Sequence, residues 1–371
     1  MMETKQQPIL CVMLIVTNAC NLHCRYCFEG HKNPRKMTLD TGKRILAKAL
    51  SEEGRDVLKV DFFGGEPFLN FPLIKELCEW AWNEYPQKDI CFFTTTNGVT
   101  LTPAIREWLR ENKSRFLGSL SLDGTPEMQK INRGAVIDLQ DIQLFRELWP
   151  GQGVNMTVSQ ETLPMMAEGI RYIHSLGFQR FKVSLARGPQ WKAEEVEVYK
   201  RELEKVVGYC LEHSELKPYE RFEDSLIPLL NEKMMNYHCG AGKTMRAYDP
   251  EGNLYPCHLF APNSVDSEAW RKIAAIDLQG DTTFLHDEDC QKCIICNICK
   301  TCVGQNYKER GDIGKRDKAL CPFFIVENVM IARYKLQVLG NKPFEAFDKF
   351  DYLELKAAKK LVDEYESSVK R

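Results

Sequence analysis

Short apolar runs alternate with longer segments of helical period from Leu10 to about His213. The runs predict six β-strands, at Ile9–Val16, Val57–Phe63, Ile90–Thr96, Phe116–Leu122, Val154–Ser159 and Arg180–Leu185. The helical segments follow at about Thr38–Glu53, Phe71–Tyr85, Pro103–Glu111, Asp138–Leu148, Pro164–Leu176 and Ala193–Glu212. This alternation predicts an α/β fold, a partial (β/α)6 TIM-like barrel, with ligands at the carboxyl ends of its strands.

Two helix ends are marked by their local residue chemistry. Thr38, followed by Asp40 and Thr41, is typical of a helix start. Gly177 is expected to end the fifth helix in the left-handed conformation.

The composition changes at about residue 214. Residues 239–321 carry eight of the fifteen cysteines and few periodic runs, which indicates a domain held together by metal. Helical period returns from Phe323 onward. We therefore predict a barrel over residues 1–213, a bridging segment over 214–238, a cysteine-rich domain over 239–325 and a C-terminal helical tail over 326–371.

The charge and cysteine usage exclude several classes of protein. A formal net charge of −2 and a pI near 6.4 give no electrostatic case for binding nucleic acid or an anionic membrane. Fifteen cysteines without a secretory signal indicate a reducing cytoplasm and metal ligation. No run approaches the roughly 18–20 apolar residues that a membrane helix needs. We expect a soluble, cytoplasmic protein.

Three cysteines lie in one polar loop directly after the first predicted strand. Cys20, Cys24 and Cys27 stand in the run Thr17-Asn-Ala-Cys-Asn-Leu-His-Cys-Arg-Tyr-Cys-Phe28. Three thiolates can hold three irons of a [4Fe–4S] cluster and leave the fourth iron open. A structural zinc site would need four ligands. An open iron indicates chemistry rather than a structural role.

The pattern C-x3-C-x-aromatic-C, with Tyr26 as the aromatic residue, resembles the signature of the radical S-adenosylmethionine (SAM) enzymes. In that family the open iron binds SAM, and one electron from the cluster cleaves SAM to a 5′-deoxyadenosyl radical. The resemblance implies an electron donor such as a flavodoxin or ferredoxin. It also implies that Tyr26 and Phe28 flank the adenine, unless they only exclude water from the cluster.

The second predicted strand ends in Phe62-Phe63-Gly64-Gly65-Glu66-Pro67. Gly64 and Gly65 allow the backbone to approach a ligand closely, and Glu66 can receive an ammonium group. The run resembles the Gly-Gly-Glu-Pro motif of the family, which holds the amino group of SAM.

Later strand ends supply five further candidates for the SAM pocket: Asn97, Ser121, Asp123, Arg133 and Ser159. The stretch from Ser121 to Arg133 resembles one in radical SAM peptide-modifying enzymes, whose hydroxyls and arginine meet the ribose and carboxylate of SAM. The usual histidine of that stretch is replaced by Gln129, to which we assign no role. The alternative for Asn97 and Ser121 is that they cap strand-end turns.

A second cysteine set resembles the SPASM domain, which houses two auxiliary [4Fe–4S] clusters. Its spacing is Cys239-x12-Gly252-x4-Cys257, then Cys290-x2-Cys293-x5-Cys299-x2-Cys302 and finally Cys321. The resemblance implies three clusters in all. The outer auxiliary cluster would take Cys290, Cys293, Cys299 and Cys321. The inner one would take Cys239, Cys257 and Cys302.

The sequence departs from the SPASM pattern in two places. One residue is missing between Cys299 and Cys302, and Cys296 is an additional cysteine. The inner cluster therefore has an open iron, or Cys296 is its fourth ligand, or Cys296 replaces Cys299 in a shifted register. A zinc ribbon is the remaining alternative for this domain.

The resemblance spans residues 10–325 and implies an enzyme that modifies a peptide or protein. His258 follows Cys257 where anaerobic sulfatase-maturating enzymes carry an aspartate. Cys-His at this point is more similar to maturases that join a cysteine thiol to a carbon, forming a thioether. His258 is the candidate catalytic base, since an unperturbed imidazole has a pKa close to cellular pH. A structural imidazole beside the cluster is the alternative.

Other functions are compatible with parts of the pattern. One is formylglycine formation of the sulfatase-maturating type. Another is radical carbon–carbon crosslinking, or modification of a small molecule. A non-enzymatic iron–sulfur carrier or zinc module would leave Glu66, Asn97 and Asp123 without a role.

Overall fold

The computed structural model describes residues 9–52, 57–213, 220–231, 240–265, 278 and 288–369. Its contacts divide the chain into two units. The first unit contains residues 1–122, 133–154 and 240–280, and the second contains residues 123–132, 155–239 and 281–371. This division does not coincide with the sequence boundary at residue 213, because residues 245–248 pair with the first strand.

The strands are β1 (Leu10–Thr17), β2 (Val57–Gly64), β3 (Asp89–Thr96), β4 (Phe116–Leu120), β5 (Val154–Val158), β6 (Phe181–Leu185), β7 (Met245–Tyr248) and β8 (Leu254–Tyr255). The first unit has one sheet in the order β4-β3-β2-β1-β7-β8, and β5 pairs with β6. All neighbours in the first sheet are parallel except β7 and β8. The six predicted strands are confirmed, with ends within two residues of those predicted.

The helices up to residue 212 are α1 (Leu39–Leu50), α2 (Phe71–Glu84), α3 (Pro103–Asn112), α4 (Pro126–Arg133), α5 (Leu139–Leu148), α6 (Met166–Ser175) and α7 (Ala193–Glu212). Thr38 caps α1, since its side chain accepts a hydrogen bond from the Thr41 amide at 3.3 Å. Gly177 has a φ of +91°, which confirms the predicted left-handed stop after α6. The sequence analysis missed α4, a helix of only two turns.

Alternation along β2 and β3 separates two faces of the first sheet. Phe62, Phe92 and Phe116 are fully buried, and the Phe62 ring lies 5.7 Å and 6.2 Å from the other two ring centroids. Trp108 of α3 contacts Phe116 at 5.1 Å, so this face packs under the helices. Because side chains alternate along a strand, Phe63 projects from the opposite face, at the carboxyl end of β2.

The second unit contains α8 (Glu288–Gln291), α9 (Val303–Arg310), α10 (Cys321–Gly340) and α11 (Lys349–Val369). The predicted C-terminal helices are confirmed. In α10, Glu327 is buried and accepts hydrogen bonds from the Tyr199 hydroxyl and from Arg221, both at 3.1 Å. Within the described ranges, no helix combines the length and apolar character that a membrane span requires.

Candidate functional site

The Gly-Gly-Glu turn after β2 lies directly against the start of the cysteine loop. The Gly65 amide donates to the Thr17 carbonyl at 3.0 Å, and the Glu66 amide donates to the Ala19 carbonyl at 2.8 Å. A Cβ on Gly64 or Gly65 would lie 2.2 Å from the Thr17 or the Ala19 oxygen, respectively. Glycine is therefore needed at both positions because the backbone here lies directly against the backbone of the cysteine loop. This close approach places Glu66 beside the loop.

The cysteine loop has a defined local structure. The Cys27 amide donates to the Cys24 carbonyl at 3.1 Å, and the Leu22 amide lies 3.4 Å from the Cys20 sulfur. Burial raises the pKa of Cys20, while the Leu22 amide and the charge of Lys32 oppose that shift. An amide donor and a nearby cation favour a thiolate, which is the form that binds iron. The amide donor and Lys32 at Cys20 are compatible with the predicted cluster, and ligation by Cys20, Cys24 and Cys27 stays a prediction.

Glu66 is the most enclosed carboxylate of the first unit's candidate site, with 1% of its surface exposed. Its Oε1 accepts from the Thr96 hydroxyl at 2.7 Å and the Phe68 amide at 3.2 Å. Its Oε2 accepts from the Asn97 amide at 2.8 Å. Burial raises the pKa of Glu66, and these donors and the charge of Arg133 oppose the shift. These donors fill three of about four acceptor positions of the carboxylate, and contact of Glu66 with SAM stays a prediction.

Glu66→Gln is expected to weaken SAM binding roughly ten- to a hundredfold, since the predicted contact of Glu66 with the amino group of SAM is a charge-assisted hydrogen bond of about 1.5–3 kcal/mol. Isothermal titration with SAM measures this. The new amide group would also face one of the donors described above, so we expect lower thermal stability as well. Thr96→Val is the matched control, because it removes one donor to Glu66 but keeps the carboxylate. Equal losses of SAM affinity in both variants would give Glu66 a structural role only.

Asn97 links the end of β3 to the cysteine loop. Its side-chain amide donates to the Asn21 side chain at 2.8 Å, and its Oδ1 accepts from the Val99 amide at 2.9 Å. The latter contact is the turn cap that sequence analysis considered as an alternative. Ser121 is half-buried, and its amide donates to the Thr96 carbonyl at 2.9 Å. Contact of Asn97 and Ser121 with SAM stays a prediction.

The two predicted adenine-flanking residues have different neighbours. The Arg133 guanidinium lies 5.5 Å from the centroid of the Tyr26 ring. Phe28 instead lies 6.3 Å from Phe63 and 5.2 Å from His258, measured between ring centroids. Within the first unit, Tyr26 thus lies beside a cation and Phe28 beside aromatic rings, and contact of either with adenine stays a prediction.

His258 lies against the aromatic side chains beside the cysteine loop. Its ring centroid is 4.3 Å from that of Phe63. Its Nδ1 is buried and has no hydrogen-bond partner among the described residues. Burial lowers the pKa of His258 to about 4. This pKa lies below the unperturbed value from which the sequence analysis argued, so the imidazole is neutral at cellular pH. The role of His258 as a catalytic base stays a prediction.

A contact far apart in sequence brings the segment after Cys257-His258 to the cysteine loop. The Asn263 side-chain amide donates to Glu29 Oε1 at 2.9 Å, and both residues are buried. The His31 amide donates to the Asn263 carbonyl at 3.2 Å. Sequence reasoning missed this pair, because no local motif signals a contact across 234 positions.

Asp123 and Ser159 belong to the second unit, where both are buried. The Asp123 amide donates to Gln129 Oε1 at 2.7 Å, and Asp123 Oδ1 accepts from the Thr157 amide at 2.8 Å. The Ser159 amide donates to Thr162 Oγ1 at 3.0 Å. Gln129, which the sequence analysis left without a role, thus orders Asp123. Contact of Asp123 or Ser159 with SAM stays a prediction.

Five cysteines of the second unit line one cavity of about 320 Å³: Cys290, Cys293, Cys296, Cys299 and Cys321. We call it the outer cysteine cavity. No group of three or more His, Cys, Asp or Glu residues in the described part of the chain is placed to hold a single metal ion. Five thiols around one cavity are a donor set that fits an iron–sulfur cluster, because cysteine thiolates hold such clusters.

The remaining auxiliary cysteines are less fully described. Cys302 lines a smaller cavity of about 20 Å³ together with Cys299 and Cys321. Cys257 is buried in the first unit. Cys239 lies outside the described residues, so the inner cluster stays a prediction.

Known proteins similar to this chain include three curated relatives. An uncharacterized protein of Methanocaldococcus jannaschii is 26% identical over 182 residues, 47% of this chain and 62% of that protein, which is less than two thirds of its length. The radical SAM cyclopropyl synthase TigE of Paramaledivibacter caminithermalis is 21% identical, over 87% of this chain and 73% of its own. A cysteine-type anaerobic sulfatase-maturating enzyme of Clostridium perfringens is 21% identical, over 79% of this chain and 88% of that protein.

Solved structures show the same fold. Native anSMEcpe with bound AdoMet and Cp18Cys peptide matches with a TM-score of 0.65 at 20% identity, covering 90% of this chain and 98% of that one. Streptococcus suis SuiB bound to the precursor peptide SuiA matches with a TM-score of 0.55 at 18% identity, covering 84% of this chain and 75% of that one. The predicted α/β partial barrel is confirmed by these likenesses. A profile of the Radical SAM superfamily matches residues 14–199, just over half of the chain.

Proposed function

Because this chain belongs to the Radical SAM superfamily, we propose that it modifies a peptide substrate by joining a cysteine sulfur of that peptide to a carbon. The chain is a radical SAM enzyme of the maturase type, related to sulfatase-maturating enzymes. The family implies SAM and a [4Fe–4S] cluster, which together supply a 5′-deoxyadenosyl radical. A peptide substrate is supported by similar structures that contain peptides.

We assign the radical-generating cluster to Cys20, Cys24 and Cys27. The amide donor on the Cys20 sulfur supports this, and the adjoining Glu66 has one acceptor position left for the amino group of SAM. The other residues proposed to contact SAM are Tyr26, Phe28, Gly64, Gly65, Asn97, Ser121, Asp123, Arg133 and Ser159. An electron donor such as a flavodoxin or ferredoxin would reduce this cluster.

Two auxiliary clusters complete the proposal. The outer cysteine cavity supports an outer cluster on Cys290, Cys293, Cys299 and Cys321. The Arg316 guanidinium donates to the Cys299 sulfur at 3.0 Å, which favours Cys299 over Cys296 as the ligand. We assign Cys239, Cys257 and Cys302 to the inner cluster, with one iron open to a substrate thiolate.

The observation that carries the thioether proposal is the position of His258. It follows Cys257, lies against Phe63 and Phe28 beside the cysteine loop, and has a buried Nδ1 that accepts no hydrogen bond from the described residues. A substrate thiol could donate to this nitrogen. Because burial lowers the pKa of His258, we assign it the role of receiving and orienting the thiol. Lowering the pKa of that thiol falls to the open iron.

The test looks beside the gene for a short reading frame that encodes a cysteine-containing peptide, and incubates that peptide with the reconstituted enzyme, SAM and dithionite. We expect a product that has lost two hydrogen atoms and whose cysteine no longer reacts with iodoacetamide. A control peptide with that cysteine changed to Ala should permit SAM cleavage but give no crosslink, since no sulfur captures the carbon radical. Mass spectrometry with fragmentation measures both outcomes.

Two other products would contradict the thioether proposal. A new aldehyde trapped by hydrazine would identify formylglycine formation, the alternative that the similarity to a sulfatase-maturating enzyme makes specific. Loss of two hydrogens with a cysteine that still reacts with iodoacetamide would identify a carbon–carbon bond. The similarity to the cyclopropyl synthase TigE makes this second outcome a specific alternative.

A further inference from the structure

A buried arginine lies in contact with a predicted ligand of the outer cluster. The Arg316 Nη1 donates to the Cys299 sulfur at 3.0 Å, and only 6% of the Arg316 surface is exposed. We propose that Arg316 raises the reduction potential of the outer cluster and so makes that cluster the better electron acceptor. This inference rests on the outer cluster assigned above.

The loop that carries Arg316 is held in place from α9. The Arg310 Nε donates to the Lys315 carbonyl at 2.7 Å, and the Asn306 side-chain amide donates to the Ile313 carbonyl at 3.0 Å. A second guanidinium nitrogen of Arg310 donates to Asn306 Oδ1 at 3.1 Å, which joins the two anchors. The backbone on which Arg316 sits is therefore held by contacts within the second unit itself.

Arg316 faces both cysteine-lined spaces of the second unit. It lines the outer cysteine cavity and also the smaller cavity that contains Cys302. Because its guanidinium donates directly to the Cys299 sulfur, its positive charge stabilises negative charge on that sulfur.

The same contact should act on a bound cluster. The potential of an iron–sulfur cluster depends on its net charge, on hydrogen bonds to its sulfurs and on solvent exposure. Reduction adds one negative charge to the cluster, so a cation fixed nearby in a poorly solvated place stabilises the reduced form most. A cation in water is screened and has less effect. An outer cluster of raised potential would accept the electron released when the carbon–sulfur bond forms.

Lys318 provides a matched control on the same loop. It lines the same cavity and carries the same charge, but its side chain is 48% exposed and its Nζ is bound to Asp289 at 2.9 Å. Replacing Lys318 or Arg316 by Gln therefore removes one positive charge beside the same cysteines. The two side chains differ in that Arg316 is buried and donates a hydrogen bond to a cysteine sulfur, whereas Lys318 is half exposed and pairs with Asp289.

The experiment is a redox titration of the full-length, anaerobically reconstituted enzyme, followed by electron paramagnetic resonance. In Arg316→Gln we expect one transition to move to a lower potential, with at least a tenfold smaller ratio of reduced to oxidised cluster, or about 59 mV for one electron. Arg316→Lys keeps the charge and should recover part of the shift. Lys318→Gln should change the ratio less than threefold.

Three results would overturn the proposal. The first is an unchanged set of potentials in Arg316→Gln with full iron content. The second is an equal shift in Lys318→Gln, which would show that any charge on this loop suffices. The third is loss of the outer cluster in both Arg316→Gln and Arg316→Lys, which would make Arg316 an assembly residue. Absence of the outer cluster from the unmodified enzyme would instead remove the premise, and its iron content reports this before any titration.

Discussion

Replacing Cys20, Cys24 and Cys27 together by Ala is expected to abolish SAM cleavage, because the open iron proposed to bind SAM would be lost with its three proposed protein ligands. The auxiliary clusters should remain, since their proposed ligands lie elsewhere in the chain. Release of 5′-deoxyadenosine under dithionite, measured by liquid chromatography, reports cleavage. The remaining iron and the visible absorption report the auxiliary clusters.

Cys78→Ala serves as the matched control for cysteine loss. Cys78 is fully buried in α2, and burial raises the pKa of its thiol well above the usual value, so it is neither reactive nor a candidate ligand. This variant should cleave SAM at the normal rate once folded. SAM cleavage that survives in the triple variant would show that the cysteine loop is not the radical-generating site.

Cys299→Ala is expected to lose about four irons per chain, whereas Cys296→Ala should lose none, because one cubane cluster takes four cysteine ligands. Both cysteines line the outer cysteine cavity, so the substitutions make similar packing changes. They differ in that the sulfur of Cys299 accepts a hydrogen bond from the Arg316 guanidinium. Iron analysis after anaerobic reconstitution, with Mössbauer spectra for cluster type, distinguishes them.

The opposite result has a definite meaning. Loss of iron in Cys296→Ala alone would establish the shifted register in which Cys296 replaces Cys299. Loss in both variants would place Cys296 on a second cluster, as its fourth ligand. Stoichiometric zinc with about four irons per chain would refute the two-cluster interpretation of this domain.

Local physics explains why the elements were predictable. Strands such as β2 alternate buried Leu58, Val60 and Phe62 with less buried neighbours, a period that requires no knowledge of the partner strands. Thr38 and Gly177 act on backbone groups within four residues of themselves. The pairing of β7 with β1 was not predictable in this way, because it joins Cys11 to Met245 without a sequence signal.

The candidate site likewise combines residues that local motifs predict with contacts that are distant in sequence. The motifs located Cys20 and Glu66, since each is recognised by residue types at fixed short spacing. Two of the three donors to Glu66, from Thr96 and Asn97, lie 30 and 31 residues away in the sequence. The Asn263 contact with Glu29 spans 234 residues. The lowered pKa of His258 is likewise a property of its packed surroundings.

The sequence by itself determined the α/β class, the superfamily and the cysteines available for clusters, because these depend on short-range period and spacing. Only the tertiary structure decided that the glycines after β2 meet the cysteine loop, that His258 is buried beside Phe63, and that a cation touches Cys299. Burial, charge and hydrogen bonding depend on neighbours brought together by folding. These three factors set the pKa values and contacts of the side chains that the motifs identify.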